Sequence, residues 1–257
     1  MAGEAGNLVH VLYLRVVITS VDNPRVKEVL RLRKSRERRE RGLFVAEGPR
    51  EVQRARDAGL RIQATYFAPK LLDWDEGDEV DERVLRKMSY RAEPEGVLAV
   101  VEIPQRAVPE GASLLLVAVG IENPGNLGAM ARTADAAGAD ALLVAEARSD
   151  PWNPNAIRAS TGAVFTLPVV DVTADDVAGL LLAKVAAALG AREKHTDGDY
   201  TQPTAFLVGA EDEGLPQRYL DMADLTVAIP MHARSADSLN AGAAAAVLLF
   251  EAVRQRA

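Results

Sequence analysis

The hydrophobic positions of residues 113–257 form runs of consecutive apolar side chains separated by segments of helical periodicity. Uninterrupted apolar runs are typical of strands buried on both faces of a parallel sheet. The expected strands are Ser113–Val119, Ala141–Ala145, Val164–Val170, Ala205–Val208 and Leu225–Ile229. The expected helices are a small-residue helix carrying Arg132, a short helix around Asn155–Ser160, and longer helices over Asp175–Leu189 and Ser238–Gln255. This alternation predicts an α/β fold with a parallel sheet covered by helices on both faces.

The first part of the chain predicts a second, smaller α/β domain. Pro24 suits the start of a helix and Gly42 its end, so one helix is expected between them. The next expected elements are strand Leu43–Ala46, helix Pro49–Ala58, strand Ile62–Phe67, helix Asp81–Met88 and a β-rich run Gly96–Ile103. The domains expected are an N-terminal extension with the small domain (1–104), a proline-containing linker (105–112) and the larger domain (113–257).

Composition excludes several classes of protein. The chain has 257 residues, of which 48% are hydrophobic. No apolar run reaches the ~18 residues of a membrane span. The apolar segment Leu8–Ile18 is interrupted by His10 and Arg15, and we interpret it as an extension packed on the domain. The absence of cysteine excludes disulfides, and three scattered histidines indicate no metal site. These features predict a cytoplasmic protein without membrane or metal.

Positive charge is concentrated in one segment of an otherwise acidic chain, whose net charge is −7. Residues 25–41 contain nine cations and three acids, a local charge of 9 − 3 = +6. A clustered basic segment is the electrostatic footprint expected for a polyanion such as RNA. The alternative is a solvated helix face with Glu–Arg pairs. The candidate contacts in this segment are Arg31, Arg33, Arg36, Arg38 and Arg39.

Three loops rich in glycine and polar residues follow three of the expected strands. They are Gly120–Asn126, Gly209–Pro216 and Pro230–Asn240. Ligands bind beyond the carboxyl ends of the strands in open parallel sheets, so the three loops predict one shared site. Each loop alone is also explained by turn and cap preferences. Neither the dinucleotide fingerprint nor the phosphate loop is present, which weighs against a dehydrogenase.

The residues in these loops resemble the three motifs of the SpoU (TrmH-type) RNA ribose 2′-O-methyltransferases, in the family's order. Asn126-Leu-Gly-Ala-Met-Ala-Arg132 matches the first motif, Gly209-Ala-Glu211 with Gly214-Leu215 the second, and Ile229-Pro-Met231 with Ser238-Leu-Asn240 the third. Arg158-Ala-Ser-Thr-Gly162 and Leu167-Pro168 resemble the segment between the motifs. One departure is the run His232–Asp237, which is one residue longer than the family's pattern and leads us to expect a bulged loop.

The resemblance implies a fold, a cofactor and residue roles. It implies a deep trefoil knot and S-adenosylmethionine held largely by backbone groups of the knotted loops. The implied cofactor residues are Leu207, Gly209, Ile229, Met231 and Leu239. The implied catalytic residues are Asn126, Arg132, Glu211, Ser238 and Asn240, with Arg158 as a further RNA contact. The plainer alternatives are core packing for Ile229 and Leu239, helix capping for the polar residues, and an Arg132–Asp135 pair.

The resemblance also implies a partner and a substrate class. Members of the family are homodimers with the site near the subunit interface. The small first domain favours ribosomal RNA, specifically 23S RNA, over transfer RNA. A housekeeping role and a role in resistance to a ribosome-targeting antibiotic both stay open, as does a non-catalytic RNA-binding protein of the same fold.

Overall fold

The computed structural model describes residues 17–232 and 237–257, which form two sheets joined by a short connecting segment. The expectations for Leu8–Val16, including His10, and for most of the loop His232–Asp237 concern residues outside these ranges. Within the described ranges, no helix has the length and apolar character needed to cross a bilayer.

The small domain is a five-stranded mixed sheet with helices packed on it. Its elements are β1 (Val17–Ile18), α1 (Pro24–Arg31), α2 (Ser35–Arg41), β2 (Leu43–Glu47), α3 (Pro49–Asp57), β3 (Ile62–Phe67), β4 (Asp78–Val80), α4 (Glu82–Met88) and β5 (Val97–Glu102). The strand order is β1-β4-β3-β5-β2, in which β5 runs antiparallel to both of its neighbours.

The large domain is a seven-stranded parallel sheet, which confirms the predicted α/β architecture. Its first elements are β6 (Leu114–Val119), α5 (Pro124–Ala136), β7 (Ala141–Ala145), α6 (Pro154–Ser160), a 3₁₀ turn (Ala163–Phe165), β8 (Val169–Val172) and α7 (Ala174–Ala178). The rest are β9 (Ala183–Ala187), β10 (Glu193–Lys194), β11 (Thr204–Val208), α8 (Gln217–Asp221), β12 (Leu225–Ala228) and α9 (Ala241–Arg256). The order is β10-β12-β9-β11-β6-β7-β8, and every residue of the central strands β6 and β11 is buried.

Two predicted helices are wrong in extent. The helix expected before Gly42 is two helices, because the chain breaks after α1 and the Leu32 carbonyl accepts a hydrogen bond from Arg38. The helix expected over Asp175–Leu189 consists only of α7, after which the chain forms β9 between β11 and β12. Alanine-rich sequence has helical propensity, but strand pairing in the sheet interior overrides it.

Other differences concern short elements. The strand expected over Val164–Val170 begins with the 3₁₀ turn and is displaced toward the C-terminus. The elements β4, β10 and α8 were not predicted, since each has five or fewer residues and no clear periodicity. The trefoil knot stays a prediction.

The two domains share a buried core. The Phe44 ring on β2 lies 4.9 Å from the Trp152 ring and 5.6 Å from the Phe165 ring, measured between ring centroids. Arg54 on α3 donates to the carbonyl of Thr161 at the end of α6. These contacts connect the small domain directly to the segment that follows β7, so the domains are packed rather than tethered.

A buried ion pair crosses the same boundary. The Arg38 side chain is 2% exposed, and its Nε and Nη2 atoms lie 2.7 and 2.6 Å from Asp150 Oδ2. Asp150 Oδ1 accepts the backbone N–H of Trp152 at 2.9 Å. The prediction that Arg38 contacts RNA is therefore wrong, because its guanidinium is enclosed between the domains and saturated by internal partners.

We expect Asp150→Ala to destabilise the protein by about 3–5 kcal/mol, because it leaves the Arg38 cation buried without a counterion. Arg36→Ala is the matched control: its pair with Glu40 is 84% and 54% exposed, and its loss should cost less than about 1 kcal/mol. Urea unfolding of both variants measures the difference. Equal free energies of unfolding for the two variants would contradict the anchoring role.

Candidate active site

A cavity of about 300 Å³ lies beyond the carboxyl ends of β11 and β12, beside the start of α9. Its walls are the loop 209–215 after β11 and apolar side chains from neighbouring segments, namely Leu189, Ile229, Met231 and Leu239. A largely apolar cavity with a few polar groups at its edge is the usual form of a small-molecule site, typically about 300–1,000 Å³. The expected site at the strand ends is therefore present as a cavity.

Four of the five residues implied as cofactor contacts line this cavity, namely Gly209, Ile229, Met231 and Leu239. Leu207 is not among the lining residues, and its role stays a prediction. Successive side chains of a strand point to opposite faces of the sheet, and Leu207 is fully buried on the face that contacts Tyr219. Its neighbour Val208 lines the cavity instead.

The loop after β11 is closed on itself. Gly214 N–H donates to the Ala210 carbonyl at 2.9 Å. A Cβ atom built on Gly209 would overlap the backbone carbonyl of Gly214. The absence of a side chain at residue 209 therefore permits the close approach that forms this wall of the cavity.

Three polar side chains of the motifs form a continuous hydrogen-bonded chain next to the cavity. Asn240 Nδ2 donates to Asn126 Oδ1 at 2.9 Å, and Asn126 Nδ2 donates to the Glu211 carboxylate. Glu211 and Asn240, which lie 85 and 114 positions from Asn126 in the sequence, thus both bond to it. The hydrogen-bond partner of Glu211, one of the implied catalytic residues, is the Asn126 side chain.

Helix capping, the plainer alternative for the polar motif residues, applies to only some of them. Asn123, not Asn126, caps α5 by accepting the backbone N–H of Gly125. Asn240 does cap α9: its Oδ1 accepts the Gly242 N–H at 2.9 Å while its amide is bonded to Asn126. Ser238 lines the cavity two residues earlier. Asn240 therefore starts the helix and also belongs to the polar chain.

Arg132 lies apart from this chain. It is exposed on α5, six positions after Asn126, which corresponds to roughly 9 Å along the helix axis. Within the described residues it makes no hydrogen bond or ion pair, so the expected alternative of an Arg132–Asp135 pair is absent there. Its side chain is exposed to solvent.

The small residues of α5 allow two other helices to approach it closely. A Cβ atom built on Gly128 would overlap the Ala156 carbonyl of α6 and lie 2.8 Å from Cβ of Ala159. On the α9 side, a Cβ atom on Gly242 would lie 3.1 Å from Cβ of Ala129. This packing fixes α5 between α6 and α9 and thereby aligns Asn126 with Asn240.

Two features of the site were missed in the sequence. Arg148 Nη1 donates to Glu122 at 2.8 Å and to Glu213 at 2.9 Å, joining the first and second motif loops. These hydrogen bonds, foremost the one that Glu122 accepts, raise the Arg148 pKa. Leu189 was placed in a helix, and only Gly179 indicated that the helix ends ten residues earlier.

Across residues 17–232 and 237–257, no group of three His, Asp or Glu side chains is arranged to hold a metal ion. His232 is exposed at the edge of the loop whose next four residues lie outside the described ranges.

The fold and the site define a parallel α/β domain with a small-molecule cavity at its strand ends, preceded by a smaller α/β domain, and comparisons with known proteins give the family. The model of the SpoU rRNA Methylase family matches residues 113–250, and that of the MRM3-like substrate binding domain matches residues 23–99. The chain belongs to the SpoU rRNA methylase family.

Relatives and solved structures agree with this membership. The 23S rRNA (uridine(2479)-2′-O)-methyltransferase of Streptomyces viridochromogenes is 41% identical over 177 residues, 63% of this chain but only 61% of that protein. The crystal structure of an RNA 2′-O ribose methyltransferase is 39% identical, with a TM-score of 0.81 over 94% of this chain and 99% of that one. The SpoU methyltransferase AviRb from S. viridochromogenes, in complex with AdoMet, is 31% identical, with a TM-score of 0.81 over 91% and 98% of the two chains.

The two functions of Asn240 are separable by mutation. Asn240→Ala should lower the free energy of unfolding by about 1 kcal/mol, since Gly242 N–H loses its cap. Asn240→Asp retains the acceptor and should keep that stability, while a carboxylate oxygen replaces the amide that donates to Asn126. Urea unfolding compares the variants, and an alanine variant as stable as wild type would disprove the capping contribution.

Proposed function

We propose that the protein transfers a methyl group from S-adenosylmethionine to a ribose 2′-hydroxyl of 23S ribosomal RNA. The observation that carries the proposal is the Asn240–Asn126–Glu211 chain at the edge of an apolar cavity, on loops that match the family. The names of the relatives support the same reaction and substrate. A cytoplasmic location is part of the proposal.

The cavity fits this cofactor. Its apolar walls at Leu189, Ile229 and Leu239 suit the adenine ring, and the tight loop 209–214 offers backbone donors and acceptors to the ring edge and ribose. When bound, S-adenosylmethionine supplies an electrophilic methyl group on a positively charged sulfur. That chemistry requires no metal, which agrees with the donor set of the site.

The two amides of the polar chain position groups and do not exchange protons. The Asn126 side chain uses its carbonyl to accept from Asn240 and its amide to donate to Glu211, so its orientation is set on both sides. A neutral amide is neither an acid nor a base near neutral pH. We assign Asn126 and Glu211 the role of holding the first two motif loops in register beside the cavity. Ser238 and Asn240 have the same role for the third motif loop.

Arg132 is assigned to the RNA. A guanidinium keeps its proton below about pH 12, so Arg132 is poorly suited as a general base. Its planar donor set matches a phosphate, and its charge stabilises the oxyanion that develops on the ribose as the 2′-hydroxyl loses its proton. Its exposure and lack of a partner within the described residues support this role.

Arg132→Ala should leave folding and cofactor affinity unchanged, while methyl transfer to a 23S RNA transcript falls by about 10²–10³-fold. Arg132→Lys should recover little, since an ammonium does not reproduce the two-pronged contact. Single-turnover transfer of labelled methyl measures both variants, and a transfer RNA transcript serves as the alternative substrate. Near-wild-type transfer by a folded alanine variant would disprove the assignment.

Fewer arginines of the basic segment are available to contact RNA than the sequence predicts. Arg33 donates to the carbonyls of Lys87 and Ser89 at 2.9 and 2.6 Å, so its guanidinium already has partners in the domain. Arg31, Arg36 and Arg39 are exposed, and their hydrogen-bond partners lie on their own helices: the exposed Glu28 and Glu40, and the half-buried Ser35. We therefore propose these three arginines as the phosphate contacts of the basic segment.

Reversing Arg31, Arg36 and Arg39 to Glu should weaken binding to the 23S RNA transcript and reduce the salt slope of log K by about 0.7–0.9 per lost phosphate contact. Arg61→Glu, at an 80% exposed side chain elsewhere on the same domain, is the control and should change the slope less. Filter binding over a salt series provides the measurement. A slope unchanged by the triple reversal would exclude this surface.

A homodimer is also part of the proposal. The outer face of α9 is apolar: Phe250 is 48% exposed, and Ala243, Ala246, Val247 and Val253 are exposed or half-buried beside it. Apolar residues on a helix face that lacks a partner in its own chain are typical of a subunit interface. Because α5 packs against α9, a subunit that covers this face also approaches the helix of Arg132.

Phe250→Asp should convert the dimer to a monomer, because a carboxylate would be buried in the contact. Light scattering during size-exclusion chromatography measures the mass. Leu181→Asp, at a fully exposed leucine elsewhere on the large domain, should leave the mass unchanged. A wild-type protein of monomeric mass at micromolar concentration would contradict the dimer.

A further inference from the structure

The segment Ser89–Arg91, between α4 and β5, is held rigidly from two sides. From one side, Arg33 donates to the Ser89 carbonyl at 2.6 Å. From the other, the Glu47 carboxylate, which is 5% exposed, accepts the backbone N–H groups of Tyr90 at 2.9 Å and Arg91 at 3.3 Å. The buried Glu47 carboxylate and the Arg33 guanidinium thus both fix the backbone that carries the Tyr90 side chain.

This rigid segment presents an aromatic ring to solvent. Tyr90 is 43% exposed, and within the described ranges its side chain makes no hydrogen bond or ring contact. The other aromatic rings described in the small domain are more buried. A tyrosine ring that a rigid backbone holds in solvent does not stabilise the fold by burial. Its exposure is better explained by a role in ligand binding.

Tyr90 lies at the boundary between the two domains. It lines one shallow depression together with Arg91, Pro154 and Arg158, of which the last two belong to α6 of the large domain. The same helix packs on α5, where the Ala156 carbonyl meets Gly128. A ligand that covers this depression would therefore contact both the small domain and the helix adjacent to the one that carries Arg132.

The charges around the depression favour an anion at Arg158. Arg158 is exposed, bonds to the neutral side chain of Asn155 at 2.8 Å, and has no carboxylate partner within the described residues. Two acids also line the depression, and both have partners: Glu47 accepts the backbone N–H groups of Tyr90 and Arg91, and Glu51 lies 3.8 Å from Arg91. An open aromatic face beside an unpaired cation combines the two features that bind single-stranded nucleic acid.

We propose that Tyr90 and Arg158 form a subsite for an unpaired nucleotide of the RNA substrate, whose base stacks on the Tyr90 ring while its phosphate contacts Arg158. The inference rests on the proposed function and names a contact that discriminates single-stranded from paired RNA. Stacking does not distinguish the hydrogen-bonding groups of the bases, so the subsite accepts any base and selects nucleotides that are unpaired.

The test uses the full-length protein, an unmodified 23S RNA transcript and a blunt-ended RNA duplex as probes. Tyr90→Ala should weaken binding of the transcript about 5- to 100-fold, the range expected for loss of one stacked base. Tyr90→Phe should bind within about twofold of wild type, whereas Tyr90→Leu, which is apolar but not aromatic, should resemble alanine. Binding of the duplex should be the same for all four proteins.

Thermal unfolding and S-adenosylmethionine titration verify that the Tyr90 variants keep the fold and the cofactor site, and Leu181→Ala serves as the control for loss of an exposed apolar side chain. Transcript binding unchanged in Tyr90→Ala, or restored as fully by leucine as by phenylalanine, would overturn the subsite. Duplex binding weakened as much as transcript binding would also overturn it. Failure of wild-type protein to methylate the transcript would instead count against the proposed function, since the binding comparison does not depend on turnover.

Discussion

The close approach of α5 to its two neighbouring helices is the constraint on which the site depends. Gly128 leaves room for the carbonyl of Ala156 on α6, and Ala129 meets Gly242 on α9. Any larger side chain on these faces would separate the helices, because the contacts already include backbone atoms. The same approach sets the distance between Asn126 and Asn240, so the polar chain beside the cavity follows from helix packing.

Through α6, this constraint extends to the small domain. Arg54 reaches the end of α6, Phe44 packs against Trp152 and Phe165, and Arg38 is paired with Asp150 in the interior. A buried ion pair is weak evidence for stability, but its short, directional contacts permit few relative positions of the two domains. The small domain, with its proposed RNA-binding surface, is therefore held at a defined position relative to α5.

The basic segment shows how one sequence feature is divided among several physical roles. Arg38 is an interior anchor, Arg33 holds the carbonyls that support the Tyr90 segment, and Arg31, Arg36 and Arg39 keep exposed positions. Charge density along the chain predicted an exposed basic segment, and in the structure Arg31 and Arg36 are exposed and paired with Glu28 and Glu40. Charge density did not distinguish these roles, because burial and partner choice depend on residues up to 112 positions away.

The sequence by itself determined the α/β class, the strands with continuous apolar runs and the three motif loops, because these depend on local patterns and on residues close together in the chain. Gly209, Ile229 and Leu239 were placed correctly at the cavity. Only the tertiary structure decided that Leu207 faces away, that Ala183–Ala187 is a strand, and that Asn126 bonds to both Glu211 and Asn240. Strand facing, strand insertion and side-chain pairing are set by contacts between distant segments, and a single sequence contains no periodic signal for such contacts.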